Sequence, residues 1–263
     1  MDSAAPTAER IRIVLVGTQH PGNIGSAARA MKTMGLHRLA LVAPQRFPHA
    51  DAEAMAAGAG DVLADASVHD TLAEAVADCR WVVGCTARDR RIALEQLAPR
   101  DAAPRLLAEA GEGVVAVVFG RERTGLENHE LQLCHAAVHI PANPDYSSLN
   151  LAQAVQVLAY ELRLCLLAAD GGRTPVAVPV PTRTERREPP ASHAELEGFF
   201  GQLADTLDAI DFHKGRTPEA AMHKLRRVFL RAQPDAREVR LLRGVLADAQ
   251  RMARLAGERD PGT

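Results

Sequence analysis

The stretch "IRIVLVGTQHPGNIGSAARAMKTMG", residues 11–35, decides the fold because an apolar run leads through a glycine-containing loop into a helical pattern. Ile11–Val16 is almost continuously apolar, which is typical of a strand buried on both faces of a parallel sheet. We predict a helix over Ala27–Met34 with Ser26 as its N-cap. A strand followed by a loop and a helix is the repeating unit of α/β domains.

Further apolar runs alternate with helical patterns up to residue 169. The additional predicted strands are Leu39–Val42 and residues 80–87, 114–120 and 136–140. Residues 49–79 supply helical stretches broken at Gly58 and Gly60, and residues 147–168 form a long helix with serine caps at its start. We therefore predict an α/β domain whose mostly parallel sheet is covered by helices on both faces.

Proline and charge divide the chain into three segments. Residues 170–192 are rich in proline and carry mixed charge, which is typical of a linker. The α/β domain then spans residues 1–169, and a small helical domain spans residues 193–263. The composition is that of a globular protein, with 47% hydrophobic residues and a formal net charge of -2.

Targeting segments and metal sites are not predicted. The N-terminal residues lack the apolar core of a signal peptide, and no apolar run approaches the roughly 18 residues of a membrane span. We therefore expect a cytoplasmic protein that does not bind membranes.

The four cysteines form no CxxC pair and are interpreted as buried thiols. Cys134, His135 and His139 are close in sequence but lead into a strand, so we assign no metal.

Three predicted strand ends carry unusual loops: "GCTA" at residues 84–87, "FGRERTGL" at 119–126 and "IPANPDYSSLN" at 140–150. Ligands of open parallel sheets bind at the carboxyl ends of the strands, and glycines allow close backbone approach. A dinucleotide fold fits poorly, because "GNIG" is not GxGxxG and the second strand ends without an acidic residue. The absence of GK[ST] excludes a P-loop. Each loop taken alone is better explained as a tight turn.

The segments "NIGSAARA", "VFGRERTGL" and "IPANPDYSSLNLAQAVQV", in this order, resemble the three motifs of the SPOUT methyltransferases. The segments "HKLRRVFLRAQP" and "LLRGVL" extend the resemblance to the members that methylate the ribose of nucleotide 32 in tRNA. The resemblance implies a sheet whose C-terminal part forms a trefoil knot, S-adenosylmethionine as cofactor, tRNA as substrate and a homodimer. It assigns the cofactor pocket to Cys85, Thr86, Ala87, Gly120, Ile140, Ser147, Ser148 and Leu149.

The same resemblance assigns catalysis to Arg29, Asn23 and Ser148. In the predicted helix Arg29 lies in the first turn, where a cation costs on the order of 0.3–1 kcal/mol because it faces the positive end of the dipole. Either a surface salt bridge or an anion pocket explains that placement. Methyl transfer to a ribose hydroxyl needs positive charge near the developing alkoxide, which Arg29 supplies. Glu122 either pairs with Arg121 or Arg123 or acts directly.

RNA contacts are predicted on both domains. From Lys214 to Arg243 there are nine Lys and Arg residues against three Asp and Glu, and this basic stretch is either a solvated helix face or a phosphate-binding surface. Aromatic residues make up only 3% of the chain, so an aromatic base-stacking surface is not expected. The residues assigned to the RNA substrate are Ser26, Arg121, Arg123, Lys224, Arg227 and Arg231.

The predicted activity is S-adenosylmethionine-dependent 2'-O-methylation of a tRNA ribose, at nucleotide 32. One alternative is a ribose methyltransferase that acts on ribosomal RNA or on another tRNA position. Another is a protein that keeps the knot and binds RNA without catalysis. An α/β nucleotide-binding module without an RNA role would leave the basic C-terminal stretch unexplained.

Overall fold

The computed structural model describes residues 7–87, 94–169, 189–214 and 217–258. The chain forms two compact units, Met1–Thr182 and Arg183–Thr263. Residues 170–188 of the predicted linker lie outside the described residues. The remaining linker residues belong to the second unit, because Ala191 is buried there and Ser192 caps its first helix.

The first unit is built on a seven-stranded sheet in which all six neighbouring pairs are parallel. The strand order is β3-β2-β1-β6-β4-β7-β5. The strands are β1 Ile11–Val16, β2 Arg38–Val42, β3 Ser67–His69, β4 Trp81–Cys85, β5 Glu95–Leu97, β6 Val115–Phe119 and β7 Ala136–Val138. The predicted parallel sheet is confirmed. The knot stays a prediction.

Helices cover both faces of this sheet. They are α1 Pro21–Thr33, α2 Ala50–Ala56, α3 Gly60–Ala64, α4 Leu72–Ala75, α5 Pro99–Ala110, α6 Asn128–Leu131 and α7 Leu151–Ala169. One face of β1, with Ile13 and Leu15, packs in a core with α1, α2, α3, α5 and α7. The other face, with Val14 and Val16, packs with α4 and α6. Apolar residues on both faces of β1 are therefore explained by two cores.

The prediction for the start of α1 was wrong. The helix begins at Pro21, with His20 as an extended N-cap, six residues before the predicted first residue. Proline suits the first helical position because its missing N–H is not needed there. Gly25 lies inside the helix, where a Cβ atom would be 2.0 Å from the carbonyl oxygen of Ala52 on α2. The glycine therefore serves close helix packing rather than a loop.

Helix α7 is the one helix among the described residues with the length and composition of a membrane span. Its buried residues, which include Val155, Leu158 and Leu162, lie in the core of the first unit. The apolar composition of α7 is thus explained in part by core packing against α1 and α5.

The second unit is helical, as predicted. It contains α8 His193–Ala209, α9 Pro218–Ala232 and α10 Ala236–Glu258. Ser192 and Glu195 form a capping box at the start of α8. Phe199 and Phe200 are buried in the core, and the ring of Phe199 meets that of Phe229 edge-on with centroids 4.7 Å apart.

Candidate cofactor pocket and catalytic site

A cavity of about 280 Å³ opens at the carboxyl ends of β4 and β6. All eight residues assigned to the cofactor line it: Cys85, Thr86, Ala87, Gly120, Ile140, Ser147, Ser148 and Leu149. The three strand-end loops therefore converge on one pocket, as the rule for parallel sheets predicts. The sequence assignment missed further lining residues, namely Phe119, Glu122, Thr124, Gly125, Leu126, Leu151 and Ala154.

The wall of the pocket is shaped by a tight turn after β6. Arg121 and Gly125 exchange backbone hydrogen bonds, at 3.2 and 2.8 Å. A Cβ atom on Gly120 would lie 2.1 Å from the carbonyl carbon of Gly125, so only glycine fits beneath this turn. Cys85 pairs with Phe119 across strands β4 and β6, and burial raises the pKa of its thiol to about 12. Cys85 is therefore a small neutral wall residue at working pH.

The two arginines of the turn differ in their contacts. The guanidinium of Arg121 donates to both carboxylate oxygens of buried Glu130 at 3.0 Å, and its stem packs against Gly17. Both hydrogen bonds come from Nη1 of Arg121, and this charge-assisted contact holds the side chain in the wall of the pocket. Arg123 is exposed at the pocket rim and forms no ion pair with a described residue. Of the two arginines assigned to substrate, Arg123 has the freer side chain.

Glu122 contacts neither neighbouring arginine. Its carboxylate accepts hydrogen bonds from the backbone N–H of Gln19 at 3.0 Å, from the N–H of His20 at 3.2 Å and from the Asn23 amide at 3.0 Å. The carboxylate thus lies at the N-terminus of α1, where the helix dipole favours an anion. Partial burial acts to raise the pKa of Glu122, but these hydrogen bonds outweigh it and hold the pKa below its ordinary 4.5.

Asn23 connects the first motif to the third. Its amide donates to Glu122, and its oxygen accepts from the Asn150 amide at 3.1 Å. The side chain of Asn150 also accepts from the N–H of Ala152 at 2.9 Å, while Gln153 accepts from the N–H of Asn150. Asn150 is therefore the N-cap of α7, and the predicted serine caps were wrong. Both serines instead lie in the exposed loop that lines the pocket.

Arg29 does not lie where the sequence placed it. It is the ninth residue of α1, not a first-turn residue, so the argument from the helix dipole was wrong. Ser26 is a half-buried residue inside the helix and not its N-cap. Arg29 is exposed and pairs with no acidic group among the described residues, so the salt-bridge explanation finds no support there. It does not line the pocket of its own chain.

The assigned basic residues of the second unit share one exposed helix face. Lys224, Arg227 and Arg231 are all exposed on α9. Leu225 and Phe229 point instead into the core of that unit.

Among the described residues, no three His, Cys, Asp or Glu side chains are grouped so that they could hold a metal ion.

Two family models match the chain, one on each unit. Residues 10–160 match the SpoU rRNA Methylase family, and residues 194–258 match the C-terminal domain of tRNA methyltransferase TrmJ. Two relatives are each 50% identical to this chain, one from Cronobacter sakazakii and one from Escherichia coli K12. Both are called tRNA (cytidine/uridine-2'-O-)-methyltransferase TrmJ. Each match covers 92% of this chain and 96% of the relative.

Solved structures agree with these matches. The crystal structure of TrmJ from Z. mobilis ZM4 superposes with a TM-score of 0.77 at 37% identity, over 90% of this chain and 97% of that chain. A probable methylase family protein from Haemophilus influenzae Rd KW20 gives a TM-score of 0.60 at 40% identity, over 95% and 99%. The chain belongs to the SpoU methylase family. Within that family, the identity across both units places it with the TrmJ proteins.

Replacing Glu122 with glutamine should lower the free energy of unfolding by about 1 kcal/mol at pH 7, because charge-assisted hydrogen bonds are lost at a partly solvated site. The folded-state pKa of Glu122 lies below its ordinary 4.5, so this stabilisation is present above pH 4.5. It disappears as the pH falls through the folded-state pKa. Urea unfolding of both proteins at pH 7 and pH 3 measures the difference.

The matched control is Glu53→Gln at an exposed position of α2, which should change stability by less than half as much. An equal gap between wild type and the Glu122 variant at both pH values would show that the carboxylate charge does not stabilise the start of α1.

Proposed function

We propose that this protein transfers a methyl group from S-adenosylmethionine to the 2'-oxygen of a tRNA ribose, at nucleotide 32 of the anticodon loop. The observation that carries the proposal is the convergence of three motif loops on one pocket in a chain 50% identical to TrmJ enzymes along 92% of its length. Those relatives are named as cytidine/uridine 2'-O-methyltransferases of tRNA. A tRNA substrate places the enzyme in the cytoplasm.

The residues of the pocket fit S-adenosylmethionine. Glycine at position 120 lets the turn after β6 close tightly and form one wall of the pocket, and the protonated thiol of Cys85 is a poor nucleophile that does not compete for the methyl group. Gly120, Ile140 and Leu149 would hold the adenosine part, with Ser147 available for hydrogen bonds. When bound, the cofactor supplies an electrophilic methyl group. No metal is needed for this chemistry.

The chain's own residues must activate a weakly acidic ribose hydroxyl. The ribose oxygen would accept the methyl group that S-adenosylmethionine supplies, and its hydroxyl proton would leave to solvent. Arginine is not readily deprotonated, so Arg29 acts by stabilising the developing alkoxide rather than as a base. Ser148, exposed beside the pocket, can hydrogen-bond the ribose. Asn23 positions the loops, since both ends of its amide are already bonded.

The position of Arg29 supports a homodimer. Arg29 lies six residues, about 9 Å along the axis, beyond Asn23 and outside its own pocket. Helix α7 also presents an exposed apolar stripe that includes Tyr160, Leu164 and Leu167. A second copy packed on α7 would bury this stripe and bring another Arg29 toward the pocket.

Substrate choice is tested by labelled methyl transfer to unmodified tRNA, to the same tRNA with a 2'-deoxyribose at nucleotide 32, and to ribosomal RNA fragments. We expect transfer to the first substrate only, because the deoxyribose removes the acceptor oxygen. Transfer to the deoxy substrate would show that the protein methylates a position other than the 2'-oxygen of nucleotide 32. Transfer to ribosomal RNA alone would favour the related ribosomal enzymes. No transfer at all, with the cofactor still bound, would favour a non-catalytic RNA-binding protein.

Neutralising Lys224, Arg227 and Arg231 to glutamine should weaken tRNA binding and flatten its salt dependence. Each phosphate contact contributes about 0.7–0.9 to the slope of log K against log salt, so three contacts contribute about 2–3. Binding isotherms between 50 and 200 mM salt measure the slope. The control is Arg38→Gln. Arg38 is exposed at the start of β2, whereas the pocket lies at the carboxyl ends of the strands, so this change should leave the slope unchanged. An unchanged slope in the triple variant would show that this face of α9 does not bind the phosphates of tRNA.

A further inference from the structure

The loop between β7 and α7 presents one aromatic side chain to solvent. Tyr146 is 83% exposed, more than any other large apolar side chain among the described residues. It directly precedes Ser147, Ser148 and Leu149, which line the pocket. Phe119 is the one aromatic residue among those that line the pocket, and it is buried. The ring of Tyr146 therefore has no core role, and it belongs to the same loop as the three lining residues that follow it.

The backbone at Tyr146 forms a hydrogen-bonded turn. Residues Pro144–Tyr146 form a single 3-10 turn, in which Asn143 accepts a side-chain bond from the N–H of Asp145 at 3.1 Å. The N–H of Tyr146 donates to the carbonyl of Asn143 at 3.0 Å. Pro141 lies before this turn and Pro144 begins it, so both restrict the backbone on the N-terminal side of Tyr146. An exposed ring on a stiff turn can bind a flat partner without a large loss of chain entropy.

We propose that Tyr146 stacks on the base of the nucleotide whose ribose is methylated. This inference rests on the proposed function. The acceptor oxygen must reach the methyl group in the pocket, so the attached base is held within a few ångströms of the rim. The nucleotide must leave its neighbours in the loop to do so, and single-stranded RNA bases removed from their stack are commonly held on aromatic side chains.

The turn between β6 and α6 presents no aromatic side chain to this base. Around the pocket mouth it presents Glu122, Arg123 and Thr124, which are polar. An aromatic ring accepts any base, because every base has a π-face, and this agrees with relatives named for both cytidine and uridine. The proposal thus assigns base holding to Tyr146 and does not require it to read base identity.

The test compares Tyr146→Ala, Tyr146→Leu and Tyr146→Phe in the full-length protein. Stacking on one base is worth about tenfold in affinity or more, so Ala and Leu should raise the KM for tRNA about tenfold, and Phe should stay within twofold. The ratio should be the same at low and high salt, because stacking releases no counterions. The Kd for S-adenosylmethionine should not change. Val68→Ala, an exposed apolar residue on edge strand β3, is the control.

A tRNA with an abasic residue at the methylated nucleotide identifies the partner of the ring. Wild type and Tyr146→Ala should bind this tRNA with equal Kd, because the contact is absent from both complexes. A persistent tenfold gap would overturn the proposal. So would a Phe variant as weak as the Ala variant, or a changed oligomeric state of Tyr146→Ala. Ring-dependent tRNA binding without methyl transfer would support Tyr146 stacking while the proposed function failed.

Discussion

Replacing Arg29 with alanine should lower methyl transfer to tRNA by about 100- to 1000-fold, the loss typical of removing one group that stabilises an oxyanion. Arg29 is exposed on α1 and forms no ion pair with a described residue, so its removal should not destabilise the fold. It also lies outside the pocket of its own chain. The Kd for S-adenosylmethionine should therefore stay within twofold of wild type by calorimetry.

Lys32→Ala is the matched control for Arg29. Lys32 lies on the same helix and pairs with Asp61 at 2.8 Å, so its loss removes a surface ion pair and a nearby cation together. We expect less than a twofold change in transfer rate. Equal losses of transfer and cofactor affinity in Arg29→Ala would show that Arg29 builds the pocket and is not catalytic.

Replacing Gly120 with alanine should reduce cofactor affinity on the order of 100-fold, equivalent to about 2.7 kcal/mol. The added Cβ would lie 2.1 and 2.2 Å from backbone atoms of Gly125 and Leu126, and neither can move without opening the turn. That turn forms one wall of the pocket. Overpacking of this kind should also destabilise the first unit by about 1–3 kcal/mol, without unfolding it.

Gly60→Ala is the matched control for Gly120. Nothing lies within 4 Å of a Cβ atom built on Gly60, so the same change should leave cofactor binding and thermal stability nearly unchanged. Circular dichroism verifies that the Gly120 variant is folded. Wild-type affinity for S-adenosylmethionine in a folded Gly120→Ala protein would show that the cofactor does not bind against this turn.

The two inactive variants together test the proposed dimer. If Arg29 acts on the pocket of a second copy, a heterodimer of Arg29→Ala and Gly120→Ala contains one intact pocket facing one intact Arg29. Mixing equal amounts after subunit exchange should then restore about a quarter of wild-type activity. A mixture as inactive as its components would show that Arg29 serves its own chain.

Much of the sheet could be predicted from the sequence because its central strands are apolar on both faces. Ile11–Val16 is such a strand, and two separate cores explain its pattern. The edge strands Ser67–His69 and Glu95–Leu97 were missed because they are three residues long and largely exposed. The pocket could be predicted because loops at the carboxyl edge of a parallel sheet must converge.

The details that were wrong depend on contacts between distant residues. Gly25 indicated a loop, but its reason is the backbone of Ala52 on another helix. One of the two alternatives for Glu122 was a salt bridge to an adjacent arginine, whereas its hydrogen-bond partners begin at Gln19, about one hundred residues away in sequence. Local pattern does not specify such partners. Pro21 was a signal in the sequence for the start of α1 that the prediction overlooked, whereas the environment of Arg29 depends on residues distant in sequence.

Mass spectrometry of an unmodified tRNA, after incubation with the protein and labelled S-adenosylmethionine, tests whether this protein methylates the ribose of nucleotide 32. Nuclease digestion locates the product, and fragmentation separates a ribose methyl group from a base methyl group. We expect one 2'-O-methyl group at nucleotide 32, and we expect it to be lost or strongly reduced with the Arg29→Ala protein. A methyl group on a base, or none on tRNA that has bound to protein with cofactor, would contradict it.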